Sequence, residues 1–208
     1  MDIEGPDSPI RSIRDFATHI ATVTIGILIA LGLEALVETH RNHELVEHTR
    51  ADFRAEFAAN RAAVLRDLER SRAVKTELEG LIAYGQARIA GKDAPFPALQ
   101  AGRAFSFVNT TAWETAVATQ ALIHMPFAEA RRIAEAQSKQ AALNVLQGRA
   151  EDEWFDLAAY GDPHAVPREE FRPALEKVTI AYAYLTSVRA TEADLVVVYD
   201  AALKGIEH

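Results

Sequence analysis

Residues 16–37 read FATHIATVTIGILIALGLEALV, and the placement of this run settles the fold. It is 22 residues long, and an α-helix needs roughly 20 apolar residues to cross the hydrocarbon core of a bilayer. No charge falls between Ile20 and Leu33, and the Ile, Leu and Val side chains spread around every face of a helix drawn through them. A helix packed on a soluble core would carry a polar stripe; here only Thr and Gly interrupt the apolar surface. His19 and Glu34 bracket the most apolar part, within reach of the headgroups. The run is read as a single transmembrane helix. A short polar tail, residues 1–15, precedes it, and a helical stalk and bundle domain, residues 38–208, follows.

Within the run, Thr18, Thr22, Gly26 and Ala30 recur every fourth residue and form one ridge. Small residues at that spacing let a second helix approach closely, and threonine hydroxyls hydrogen-bond within or between helices. This ridge is the expected helix-association face, although such patterns also recur in spans that pair with nothing. Arg11 and Arg14 ahead of the run, with Ala30-Leu31-Gly32 inside it, also fit a cleaved leader. That leader would be long, and the helical pattern passes through the cut unbroken, so an uncleaved anchor is the preferred reading. By the positive-inside rule the same two arginines put the N-terminus in the cytoplasm and the domain outside, with Arg41, Arg50 and Arg54 blurring the contrast.

The chain has 208 residues, 22 Lys and Arg against 30 Asp and Glu, and no cysteine. Beyond the anchor that is room for one domain with a real core. A net charge of −8 and the lack of a basic stripe argue against a nucleic-acid partner. Zero cysteines exclude disulfides, thiolate metal sites and cysteine nucleophiles.

Proline and glycine set the other boundaries. Residues 1–8 read as a flexible tail, and Ser8-Pro9 as a helix start. No further proline occurs before Pro95, so one helix is expected from about residue 9 to Ala90, with Gly80 and Gly85 as points for a bend. Val46, Phe53, Phe57, Val64, Leu68, Leu78 and Ile82 give it one buried stripe. Asn60 lies in line with that stripe, and a buried amide in a helical seam fixes register or oligomer state. The break at 91–97, GKDAPFP, ends the helix. Residues 98–108 are ambiguous between a short extended piece and a buried turn. Thr111-Ala112-Trp113-Glu114 has the capping-box pattern and starts a short helix that ends at Met125-Pro126. A longer helix follows, from Pro126 to about Tyr160, stopped by Gly161-Asp162-Pro163. The last helix runs from Pro167 or Pro173 to about Lys204, its Val196-Val197-Val198-Tyr199 overriding a local strand preference. Long helices joined by short connections pack antiparallel, so the expected fold is all-α: anchor, stalk, then an antiparallel bundle.

Two stretches carry a resemblance. IGILIALGLEALVE with Glu56-Phe57-Ala58-Ala59-Asn60-Arg61, and 109–116, NTTAWETA, with Ala121-Leu122, together resemble an uncharacterised family of bacterial proteins with one N-terminal membrane helix and a helical domain. The resemblance covers about half the chain and implies this architecture and a bacterial envelope location; with the charge bias of the flanks, the expected place is the bacterial inner membrane with the domain in the periplasm. It implies no activity and no catalytic residue.

His40, His43, Glu44, Glu47 and His48 form the most suggestive polar cluster, with pairs four residues apart on one helix face. Imidazole and carboxylate at that spacing can share a zinc-like ion, but the HExxH motif is not completed and the bland reading is a solvated face beside the headgroups. Trp113 and Trp154-Phe155 read as core anchors. Asn109-Thr110-Thr111 matches a glycosylation sequon, a short pattern frequent by chance. Glu151-Asp152-Glu153 reads as solvated surface. No nucleophile elbow, phosphate loop or dinucleotide fingerprint occurs. The expected protein is not an enzyme, has no cofactor and acts by association, as a homo-oligomer or an accessory subunit of a membrane complex. The alternatives are a ligand-binding or sensor bundle at the membrane surface, and a metal-binding protein built on the histidines.

Overall fold

The computed structural model describes residues 13–97, 105, 107–158 and 166–206. Among these residues every regular element is helical: α1 (Ile13–Ile89), α2 (Thr111–Ala118), a 3-10 turn (Ala121–His124), α3 (Phe127–Ala158), a second 3-10 turn (Arg168–Glu170) and α4 (Phe171–Ile206). The fold is all-α, as the periodicity and punctuation predict. Most of the N-terminal tail, the start at Ser8-Pro9, the stop at Gly161-Asp162-Pro163, and 98–104 with Ser106 of the ambiguous stretch lie outside the described residues.

Helix α1 runs through Gly80 and Gly85 without interruption. These glycines serve close approach instead. A Cβ on Gly85 would stand 3.2 Å from Leu175 Cδ1, and one on Gly80 would stand 3.2 Å from Pro97 Cβ. The local strand preference at 196–199 is overridden because Leu195 and Tyr199 both point into the core of α4's packed face.

The chain forms two compact units, Met1–Glu47 and His48–His208. In the first, every residue from 13 to 41 is exposed, including the whole apolar run.

In the second, three long helices share a heptad-like seam. The buried residues of α4 are Val178, Ala181, Leu185, Val188, Glu192, Leu195, Tyr199, Ala202 and Ile206, an unbroken alternation of three and four. On α3 they are Glu129, Ile133, Ala136, Gln140, Leu143, Gln147 and Ala150, and on α1 the seam is Phe53, Phe57, Asn60, Val64, Asp67, Ser71, Val74 and Leu78, with Glu56 buried beside it. This 3.5-residue period is that of coiled-coil packing. It also revises the expected stripe of α1: the seam takes Asp67 and Ser71, while Leu68 is only half-buried. At one end Phe53, Phe57 and Tyr199 stack with successive ring centroids 5.4 Å apart. At the other, Val74, Leu78, Val178 and Leu185 pack with Trp154, Leu157 and Phe105. Trp154 is half-buried and packs against this cluster, Trp113 is likewise half-buried, and Phe155 is 62% exposed, so the core-anchor reading fails for Phe155.

Side-chain pairs fix the directions. Arg61 meets Asp200 at 2.7 Å, Tyr182 meets Glu79 at 3.0 Å, and Lys177 meets Asp156 at 2.6 Å, so α4 runs antiparallel to both α1 and α3. Arg50 meets Glu129 at 2.6 Å, and Asn60 and Gln140 both reach Asn109, so α1 and α3 run parallel. The antiparallel rule for short connections therefore holds between α3 and α4. Between α1 and α3 the connection is long, and its described residues 107–110 and α2 lie against the bundle at Asn60, Gln140 and Asn144.

Candidate functional site

A returning segment that lies against helices has backbone groups with no sheet or helix to pair them, and buried backbone polar groups must be paired. Side chains of α1 and α3 meet that need. Asn60 Nδ2 donates to the Asn109 carbonyl at 2.8 Å, and the Asn109 amide donates back to Asn60 Oδ1 at 3.0 Å. Asn144 makes the same two-way pair with Val108, both bonds 3.2 Å. Gln140 Nε2 adds a second donor to the Asn109 carbonyl at 2.9 Å. Three amide side chains thus act as a surrogate strand for residues 108–109.

The same device caps α2. Its first helical residue is Thr111, with Thr110 at the cap position, one residue earlier than the capping-box pattern suggests. The box does not form. Asn109 Oδ1 accepts from the Thr111 amide at 3.1 Å, and Glu56 Oε2, from α1, accepts from the Ala112 amide at 2.8 Å. Burial pushes the Glu56 carboxyl above the usual range, and the two amides it faces, Ala112 and Thr111, pull the other way. The Tyr199 hydroxyl lies beside the Asn60 and Gln140 amides without hydrogen-bonding geometry to either, and burial pushes its pKa up, favouring the neutral phenol. The sequon residue Asn109 is therefore the hub of this layer, and the two stretches singled out in the sequence, 56–61 and 109–116, meet here.

One heptad further along is a second polar layer. Asp67, Gln147 and Glu192 are each at most 1% exposed. Gln147 Nε2 donates to Glu192 Oε1 at 3.3 Å, and Arg189 Nη1 donates to the Leu68 carbonyl at 2.6 Å and to Ser71 Oγ. Burial first, and Asp67 second, push the Glu192 carboxyl up to about 8. Sequence reading found Asn60, because it interrupts an apolar stripe. It missed Glu56, Asp67, Gln140, Gln147 and Glu192, whose polar side chains read as surface until the phase of the seam is known.

The ridge residues Thr18, Thr22, Gly26 and Ala30 are all exposed. Thr18 Oγ1 donates to the Arg14 carbonyl and Thr22 Oγ1 to the Thr18 carbonyl, each at 2.9 Å, so both hydroxyls are satisfied within the helix. A Cβ on Gly26 would meet nothing within 4 Å. His40 Nε2 lies 3.4 Å from Glu44 Oε1, both side chains exposed. Among the described residues no three His, Asp or Glu side chains converge as metal ligands. No family model, no curated protein and no solved structure matches the chain.

Proposed function

We propose that this chain is a membrane-anchored helical protein that acts by association, as a homo-oligomer or as an accessory subunit of a membrane complex, and not as an enzyme. The observation that carries the reading is the exposure of the apolar run. Ile20, Val23, Ile25, Ile27, Leu28, Ile29, Leu31 and Leu33 are all 47–61% exposed on a helix long enough to span a bilayer. Fully burying such a side chain gains about 1.5–3 kcal/mol, so eight that are about half exposed forgo on the order of 10 kcal/mol. A bilayer, with a second helix along the ridge, recovers that energy. Arg11 and Arg14 favour the His48–His208 unit on the periplasmic side of a bacterial inner membrane. Exposed Val117, Ile123 and Phe127 on that unit are consistent with further association.

The test is extraction in mild detergent followed by intact-mass measurement and identification of every component. A species at a multiple of 22.8 kDa supports self-assembly, and a stoichiometric second polypeptide supports the accessory role. A chain found only in the soluble fraction overturns the anchor. Gly26→Ile should reduce the assembly to smaller species, because a branched side chain fills the close-approach face; an unchanged mass removes the ridge from the mechanism.

A second reading, ligand binding, is favoured by one cavity. Tyr84, Arg88, Asp93, Phe96 and Phe171 line a space of about 590 Å³, with Arg88 over the Phe171 ring and 3.3 Å from Asp93. Such a lining suits a small aromatic anion. A thermal-shift screen of aromatic carboxylates against the wild type and Arg88→Ala should show stabilisation only in the wild type; no shift in either excludes it.

A further inference from the structure

The end of α1 places two opposite charges at the cavity of Tyr84, Phe96 and Phe171. The Lys92 amide donates to the Ala87 carbonyl at 2.9 Å and the Gly91 amide to the Arg88 carbonyl at 3.1 Å, with Gly91 at φ 72°. This is the Schellman stop, in which a left-handed glycine turns the chain back over the last helical turn. The reversal brings Asp93 against Arg88, whose Nη1 donates to Asp93 Oδ1 at 3.3 Å. Tyr84 stands one turn before Arg88 on the same helix face, and Phe96 meets its ring edge-on with centroids 5.2 Å apart. From α4, the Phe171 ring lies under the Arg88 guanidinium, 5.5 Å from its centroid. Gly85 permits that approach, because Leu175, one turn along α4 from Phe171, packs on its bare backbone.

The Arg88–Asp93 pair is loosely held. Its 3.3 Å separation is longer than the roughly 2.7–2.9 Å of a tight charge-assisted bond. The Asp93 side chain is fully exposed, and an exposed ion pair contributes little, so the pair opens at small cost. Stacking on Phe171 occupies the face of the guanidinium and leaves its N–H edge, which can grip a carboxylate through two bonds. A simple anion entering there meets the Asp93 carboxylate beside it. A molecule that carries a carboxylate and an ammonium on one carbon avoids that conflict: it separates Arg88 from Asp93 and gives each a partner of opposite sign.

We propose that this cavity binds an α-amino acid with an aromatic side chain, its carboxylate on Arg88, its ammonium on Asp93 and its ring among Tyr84, Phe96 and Phe171. The space of about 590 Å³ falls within the usual size of small-molecule sites. Binding is non-covalent, and every group belongs to the His48–His208 unit. The inference rests on the ligand-binding reading of the cavity and narrows its ligand from an aromatic anion to a zwitterion.

The test is calorimetric titration of the full chain in detergent micelles with three probes. These are L-phenylalanine, hydrocinnamate, which lacks the ammonium, and phenethylamine, which lacks the carboxylate. L-Phenylalanine should bind about tenfold tighter than either, the lower end of what a hydrogen bond to a charged group contributes. Asp93→Asn should erase its preference over hydrocinnamate. That variant alters a fully exposed side chain and should keep the wild-type thermal midpoint. Arg88→Gln should lose both carboxylate probes, and any heat that remains measures partition into the micelle. Hydrocinnamate binding the wild type as tightly as L-phenylalanine overturns the zwitterion and leaves the ligand-binding reading standing. A preference for L-phenylalanine that survives Asp93→Asn overturns the place given to Asp93. Binding of none of the three overturns both the inference and the reading beneath it.

Discussion

Replacing Phe57 with Ala should destabilise the His48–His208 unit by about 3–5 kcal/mol, the range for emptying a fully packed aromatic site. Phe57 is 0% exposed and sits between Phe53 and Tyr199, so its removal breaks both ring contacts and leaves a cavity where α1 meets α4. Rigid neighbours on two sides limit collapse into that space. A loss of this size is a large fraction of the 5–15 kcal/mol that holds a typical domain together. Urea unfolding in micelles, followed by tryptophan fluorescence, measures it well, because Trp113 and Trp154 both belong to this unit. Phe155→Ala is the matched control: that ring is mostly exposed, and its loss should change stability by no more than about 0.5 kcal/mol. Equal effects at the two positions would refute the packing described for the seam.

The second large effect belongs to Asn60→Ala, expected to cost about 2–3 kcal/mol. The substitution removes both halves of a reciprocal pair and leaves the Asn109 amide without the acceptor it has here, a penalty of roughly 1–3 kcal/mol beyond the lost bonds. The Asn109 carbonyl keeps Gln140, which limits the damage. The effect should also be local. Hydrogen exchange should quicken at residues 108–118 while the buried turns of α4 keep their protection. Asn144→Ala should produce the same local pattern at Val108. A uniform loss of protection would mean that Asn60 supports the core generally and not the returning segment.

How much of this was legible in the sequence depends on how local each cause is. The apolar run at 16–37, the proline-free stretch ahead of Pro95 and the Pro126 start are local features, and they gave the helices. Asn60 was legible because an amide among Phe53, Phe57 and Val64 breaks a pattern. Asp67 and Glu192 break none: in a chain with 25% charged residues, an acid beside arginines reads as surface. Only the partners reveal that both stand at seam positions. The cap of α2 failed for a related reason. Thr111 and Glu114 have the right spacing, but Asn109 and a carboxylate from α1, 56 residues away in sequence, reach the amides instead. The parallel course of α1 and α3 goes with the packing of residues 108–109 against Asn60, Gln140 and Asn144, which no local pattern specifies.

The span of these contacts also sets a timetable for synthesis. Arg61 waits for Asp200, 139 residues later, and Arg54 waits for the carbonyl of Ile206, 152 residues later. A ribosome adding about 5–20 residues per second needs roughly 6–25 s to travel from Leu78 to Ile206. During that interval Phe53, Phe57 and Asp67 of the nascent chain lack the helix that covers them. The apolar run has by then already left the ribosome. On the anchor reading proposed above, targeting would precede folding of the His48–His208 unit, and chains terminated before α4 should be cleared as unfinished products.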